Sequence, residues 1–223
     1  MADQNDSFIR EVNDEIRSEQ MQRVWRKLGP VIITVAVLVV LATAGYRVYE
    51  YWTDDRSSQS GDQFLAAQKL AADGKIDDAL KAFDALESTG FGSYPTLARF
   101  RAASLLAQKG DQKGALDAFA ALGKDTSVPE ALRDVAHIRA GWLLIDNGTY
   151  EQVSAEVEAL ATPGHSLRSS AREALGLAAY KAGQMDRARE WFEQIVEDTQ
   201  TPRNVNSRAQ IMLDNIAAAS KTP

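Results

Sequence analysis

Four phrases in this chain repeat one pattern: DGKIDDALKAF, KGDQKGALDAF, NGTYEQVSAEV and AGQMDRAREWF. Their glycines, Gly74, Gly110, Gly148 and Gly183, are 36, 38 and 35 residues apart. Five positions after each stands a small or branched residue (Ala79, Ala115, Val153, Ala188), and four after that a large apolar one (Phe83, Phe119, Val157, Phe192). Glycine supplies the left-handed backbone that ends one helix and reverses the chain. Residues four apart share a helix face, so the small member permits close approach and the large one fills the gap. Ahead of each glycine runs another apolar segment of helical period, FLAAQKLAA, RFRAASLLAQ, IRAGWLLID and REALGLAAYK, with Ala67, Ala103, Gly141 or Gly176 seven positions before the glycine. The unit is helix, tight turn, helix. One such hairpin cannot bury its apolar face alone, so the units stack into a solenoid.

The breaks between units carry Pro95, Pro129, Pro163 and Pro202, which interrupt helices where one hairpin hands over to the next. Ser127 and Glu130 have the spacing of a capping box, and Thr201 before Pro202 reads as another helix start. A last helix from about Pro202 to Ala219 sets Val205, Ala209, Met212 and Ile216 on one stripe that would cover the open end of the stack. No segment alternates as a strand does. The fold class that follows is all-α: a solenoid of helical hairpins preceded by one N-terminal transmembrane helix.

The repeats resemble the tetratricopeptide repeat, a helical hairpin of about 34 residues with small residues at its eighth and twentieth positions and an aromatic at its twenty-fourth. The resemblance covers most of residues 60 to 202. It departs at the family's fourth position, usually a large apolar residue, where this chain has Gln63, Arg99, His137 and Arg172. Hairpin packing is therefore expected to differ from the standard form.

The transmembrane helix is the run between Lys27 and Arg47, where 19 residues, Leu28 to Tyr46, hold no charge. As a helix they reach about 28 Å, close to the ~30 Å of a bilayer's hydrocarbon core. The run is apolar all round, unlike the one-sided helix of a soluble domain. Ala42-Thr43-Ala44 before Gly45 has the form of a signal-peptidase site, so a cleaved signal is the rival reading. A long leading segment with mixed charges, and Trp25, Tyr46, Tyr49, Tyr51 and Trp52 at the flanks, favour a permanent anchor. Arg10, Arg17, Arg23, Arg26 and Lys27 precede the run against Arg47 and Arg56 after it, so the amino terminus is expected to stay in the cytoplasm. The expected organisation is a cytoplasmic amphipathic segment (1–27), the membrane helix (28–46), a juxtamembrane linker (47–59) and the repeat domain (60–223). In a bacterium the repeat domain would stand in the periplasm.

Chemistry is hard to find. The chain of 223 residues has no cysteine, which removes disulfides, thiol nucleophiles and zinc–cysteine sites. A net charge of −6 and a pI near 5.1 argue against a nucleic-acid binder. Of the two histidines, His137 occupies a packing position with Asp134 one turn behind it, and His165 sits in the loop TPGHS, where it is expected to be solvated. No histidine pair has metal-ligand spacing, and no phosphate loop or nucleophile elbow is present. Asp77, Asp78, Glu156, Glu158, Glu173 and Glu190 are scattered through predicted helices as a solvated face would be. Asn147-Gly148-Thr149 matches a glycosylation sequon whose glycine already has a turn to make. No catalytic residue, cofactor or metal site is expected.

Binding is the better expectation. The first helices of stacked hairpins line a concave surface that receives partner segments. The repeat pattern places Phe64, Gln68, Phe100, Ser104, Gln108, Ile138, Trp142, Asp146, Glu173, Leu177, Tyr180 and Lys181 along it. Rings and polar groups together suit an extended or helical apolar peptide, while the same periodicity is met if Phe100, Ile138 and Trp142 are core residues. At the amino terminus, Phe8, Val12 and Ile16 form a stripe that fits a membrane surface or a partner helix; a plain spacer presenting basic residues fits as well.

The whole layout, FIREVNDEIRSEQMQRVWRKLG before one anchor, GYRVYEYW after it and REALGLAAYKAGQMDRAREWFEQIV near the end, is similar to the YfgM-like ancillary subunits of the bacterial Sec translocon. That resemblance implies a single-pass inner-membrane protein whose periplasmic repeat domain associates with the translocon and with periplasmic chaperones. An envelope adaptor in cytochrome maturation or cell division would use the same scaffold.

Overall fold

The computed structural model of the chain describes the backbone of residues 3–219 and the side chains of residues 25–219. Among the described residues there are nine α-helices, one short 3₁₀ helix and no strand. The first helix, α1 (Asp3–Ala72), contributes to two compact units, one ending at Arg56 and the other beginning at Ser57. The segment 47–59 is helical throughout.

In the first unit, the side chains of Val31, Ile33, Val37, Val40 and Leu41 are more than half exposed. α1 is long and apolar enough to cross a membrane. The two threonine hydroxyls in the apolar run bond within the helix: Thr34 and Thr43 donate to the carbonyls of Pro30 and Val39, both at 2.8 Å. Beyond the run, the Arg56 guanidinium lies over the Trp52 ring at 4.1 Å. The side chains of Phe8, Val12, Ile16, Arg10, Arg17 and Arg23 lie outside the described residues.

The second unit contains the hairpins. The end of α1 pairs with α2 (Ile76–Thr89), α3 (Tyr94–Lys109) with α4 (Gln112–Lys124), α5 (Glu130–Asn147) with α6 (Tyr150–Val157), and α7 (Arg168–Lys181) with α8 (Met185–Glu197). The 3₁₀ helix Glu158–Ala161 extends α6 by one turn, and α9 (Arg203–Ala219) packs on α8 and α7. Ala67, Ala79, Phe83, Ala103, Ala115, Phe119, Val153, Val157, Ala188 and Phe192 are all buried. The reason for the small residue in each first helix is visible at the two glycines: a Cβ on Gly141 would stand 2.5 Å from Val157 Cγ1, and one on Gly176 would stand 2.8 Å from Phe192 Cζ. In these two hairpins the small position faces the large residue of its own second helix.

Three of the four turns close identically. Gly74, Gly110 and Gly183 have φ of 78°, 95° and 74°, and the next residue's amide reaches back to the carbonyl of Leu70, Leu106 or Ala179, which is the Schellman arrangement. Gly148 is the exception, with φ −112° and ψ −173°. A Cβ there would meet the Leu144 carbonyl oxygen at 2.9 Å, so this glycine is needed for close approach rather than handedness. Thr149 takes over by capping α6 in a full capping box with Gln152.

The expected box at Ser127 and Glu130 does not form. Pro129 is the N-cap of α5, and the Ser127 amide and hydroxyl both donate to Asp125 Oδ1 instead. Thr201 does not cap α9 either; its hydroxyl pairs with that of Ser169 at 3.2 Å, and the helix begins at Arg203.

Candidate functional site

The departure from the repeat's usual fourth residue has a structural counterpart. Arg99 of α3 donates to Asp125 at the end of α4 (2.6 Å) and lies 3.5 Å from Glu87 of α2. His137 of α5 pairs with Glu156 of α6 at 2.9 Å, and its ring fills the space over Gly123 of α4, where a Cβ would come within 2.7 Å. Arg172 of α7 donates to the Ala161 carbonyl (3.0 Å) and the Gln194 carbonyl (3.2 Å), and lies 3.5 Å from Asp198. In each case a polar side chain on a first helix pins the preceding second helix, or its 3₁₀ extension, and its own partner helix across the seam. Gln63, in the first hairpin, is exposed.

These pins hold carboxylates in the ionised state. The Ser127 hydroxyl and the Arg99 guanidinium bring Asp125 down to about 2, and the Arg168 guanidinium with the Gln200 amide brings Asp198 down to about 2, since hydrogen bonds to the charged form favour it.

The residues expected along the first-helix face have different surroundings. Phe64 and Phe100 turn into the hairpins: Phe64 lies 5.5 Å from the Phe83 ring and 5.9 Å from Tyr94, and Phe100 lies 6.0 Å from Phe119. Glu173 and Lys181 are engaged. Glu173 is 3% exposed and receives both Nε (2.5 Å) and Nη2 (2.7 Å) of Arg208 from α9, and Lys181 donates to the carbonyls of Ile145 (2.8 Å) and Asp146 at the end of α5. Leu177 and Tyr180 are half-buried against the α8–α9 core. Gln108 and Asp146 are exposed, and Gln68 and Ser104 half-buried, Ser104 donating to the Phe100 carbonyl.

Trp142 and Ile138 form the last group. Trp142 is 37% exposed, and with Val135, Ile138, Arg139 and Leu167 it lines an apolar depression of about 260 Å³ between α5 and the start of α7. Sequence periodicity points to Trp142 and Ile138 but not to Leu167 or Arg139, which come from a loop end and from the edge of the stripe.

His165 is not a free loop residue. The Leu167 amide donates to its Nδ1 (3.1 Å), and Nε2 stands 3.3 Å from Asp134 Oδ2. The ring therefore ties Leu167, one wall of the depression, to α5, which carries the other walls. Arg168 fixes the same loop from behind through Asp198 (2.5 and 3.0 Å) and the His165 carbonyl (3.0 Å).

No buried side-chain nitrogen or oxygen among the described residues lacks a hydrogen-bond partner, and no three His, Asp or Glu side chains among them converge as a metal site would require. Stacked hairpins with a half-open first-helix face form a scaffold suited to protein contacts. The chain belongs to the tetratricopeptide repeat-like domain family, whose model matches residues 22–218. No curated protein matches it.

Proposed function

We propose that the chain is a membrane-anchored periplasmic interaction module that serves as an accessory of the Sec translocon, linking it to periplasmic chaperones during export. The observation that carries the reading is the unbroken family match over residues 22–218, which takes in the apolar run together with every hairpin. Anchor and repeats thus belong to one design. Residues 1–27 would stay in the cytoplasm, 28–46 would cross the bilayer, and the hairpins would be held near a membrane partner, where tethering raises their effective concentration. The resemblance of the charged leader, the aromatic flank and the final repeat supports the translocon and a chaperone as partners.

The test is purification of the full chain in mild detergent followed by mass spectrometry, beside an unrelated single-span protein. Translocon and periplasmic chaperone subunits are expected to be enriched over that control. Equal recovery from both would overturn the assignment, and enrichment of cytochrome-maturation or division proteins would replace it with the adaptor role. A phosphatase fused after residue 223 is expected to be active; an inactive fusion of full length would reverse the topology.

A further inference from the structure

The depression between α5 and α7 has properties that narrow its occupant. At about 260 Å³ it is smaller than the ~300–1,000 Å³ of small-molecule sites, and it suits one large side chain. Four of its five lining residues, Val135, Ile138, Trp142 and Leu167, are apolar or aromatic. The fifth, Arg139, is exposed and has no ion pair or hydrogen bond with any described residue, whereas Arg99, Arg168, Arg172 and Arg208 are all paired. An unpaired guanidinium on a protein of net charge −6 is a local cation waiting for a carboxylate from outside the domain. The Leu167 wall is held locally, because its amide donates to His165, whose ring also lies against Asp134 of α5; a preformed site loses less entropy on binding.

We propose that this depression takes one large apolar side chain of an extended partner segment, and that Arg139 pairs with an acidic residue two positions away in that segment. In an extended chain, alternate residues face the same way, so an apolar anchor and a carboxylate at that spacing reach pocket and cation together. Trp142 supplies the contact area, as half-exposed tryptophans do at interaction hot spots. The inference rests on the interaction-module reading and specifies the chemistry recognised.

The experiment uses the full chain in phosphatidylcholine nanodiscs and fluorine NMR of three capped heptapeptides. The first is Gly-Asp-Gly-fluorophenylalanine-Gly-Asp-Gly; the second has lysine for aspartate; the third has a fluorinated alanine in place of the ring. The acidic peptide is expected to bind about fivefold tighter than the basic one, the size of an exposed ion pair, and the third not to bind above empty nanodiscs. Arg139→Glu should reverse the preference, and Trp142→Ala should weaken the acidic peptide about tenfold while helicity is unchanged.

Equal affinity for the acidic and basic peptides, a preference that survives Arg139→Glu, or no binding of either would each overturn the proposal. Self-association of the chain that disappears in Trp142→Ala would name a second copy as the occupant and overturn it too. Failure here with translocon enrichment intact in the purification would leave the interaction reading standing. Peptide binding without that enrichment would instead remove the translocon assignment alone.

Discussion

The first helices of the third and fourth hairpins, α5 and α7, stand in the same repeat register and end differently. Ten positions before the turn glycine the chain has Phe64, Phe100, Ile138 and then Glu173; six positions before it, Trp142 in α5 corresponds to Leu177 in α7. On α5 that face is half open, with Arg139 unpaired beside Trp142. On α7 it is closed: α9 lies over it and Arg208 grips the buried Glu173 through Nε and Nη2. A terminal repeat must shield an apolar flank that an internal repeat hands to its neighbour. This chain does so with a helix locked by an ion pair, and leaves the first-helix face of α5 half open.

The largest expected effect comes from breaking the lock. Arg208→Ala strands Glu173, whose side chain is 4% exposed, and removing one partner of such a pair costs about 3 kcal/mol. Arg139→Ala, on the open face, should move the urea midpoint by less than about 0.5 kcal/mol equivalent. A double change of Glu173 and Arg208 to leucine should recover most of the loss, because no buried charge is then left alone. If Arg208→Ala and Arg139→Ala behave alike in chemical denaturation, α7 is not closed as described.

Behind these faces the two hairpins are built alike, and the next effect should be equal in both. Gly141→Ala pushes a methyl into Val157, and Gly176→Ala pushes one into the Phe192 ring; overpacking of this kind costs about 2 kcal/mol. Both variants should unfold earlier in urea by similar amounts, and pairing Gly176→Ala with Phe192→Leu should restore part of the stability. A harmless Gly176→Ala would mean that α7 and α8 are further apart than the geometry requires.

Those buried pairs were legible in the sequence because a helical period and a turn glycine are local signals. The three left-handed turns at Gly74, Gly110 and Gly183 follow from the same signal. What escaped depends on residues brought together from far along the chain. Arg99, His137 and Arg172 look like misfits in a packing position until Asp125, Glu156 and Asp198 arrive beside them. Ser127 had the spacing of a cap, but the Asp125 carboxylate two residues earlier took its hydroxyl and its amide. Glu173 belongs to the first-helix stripe by spacing, and only Arg208, 35 positions later, removes it from the surface. The candidate site was half legible: Trp142 and Ile138 by period, Leu167 and Arg139 only by contact.

Helix starts separate the two hairpins by a smaller amount. Thr149 caps α6, whereas Gln184, the corresponding residue before α8, makes no side-chain cap bond. Thr149→Ala should cost about 1 kcal/mol, and Gln184→Ala close to nothing. Equal effects in thermal melts would show that Gly148, not the cap, holds the third turn.

The smallest expected effect is the response to acid, which distinguishes how tightly the seams are pinned. Asp125 and Asp198 are both held at about 2, against an ordinary 3.8, so between these values the unfolded chain binds more protons than the folded one. Their contribution to stability is therefore complete above about pH 4 and is lost as the pH falls through about 2. Asp198 faces Arg168 and Arg172, whose side chains are 12% and 7% exposed, while Asp125 is held by the Ser127 hydroxyl and then by Arg99 at 23%; solvent weakens the second arrangement more. Urea midpoints at about pH 5, 3 and 2 should therefore fall less steeply in Asp198→Asn than in the parent, with Asp125→Asn showing a weaker flattening in the same direction. A parent slope retained in both variants would place the acid-sensitive carboxylates elsewhere and leave the seam pins without a role in the ionic balance of the stack.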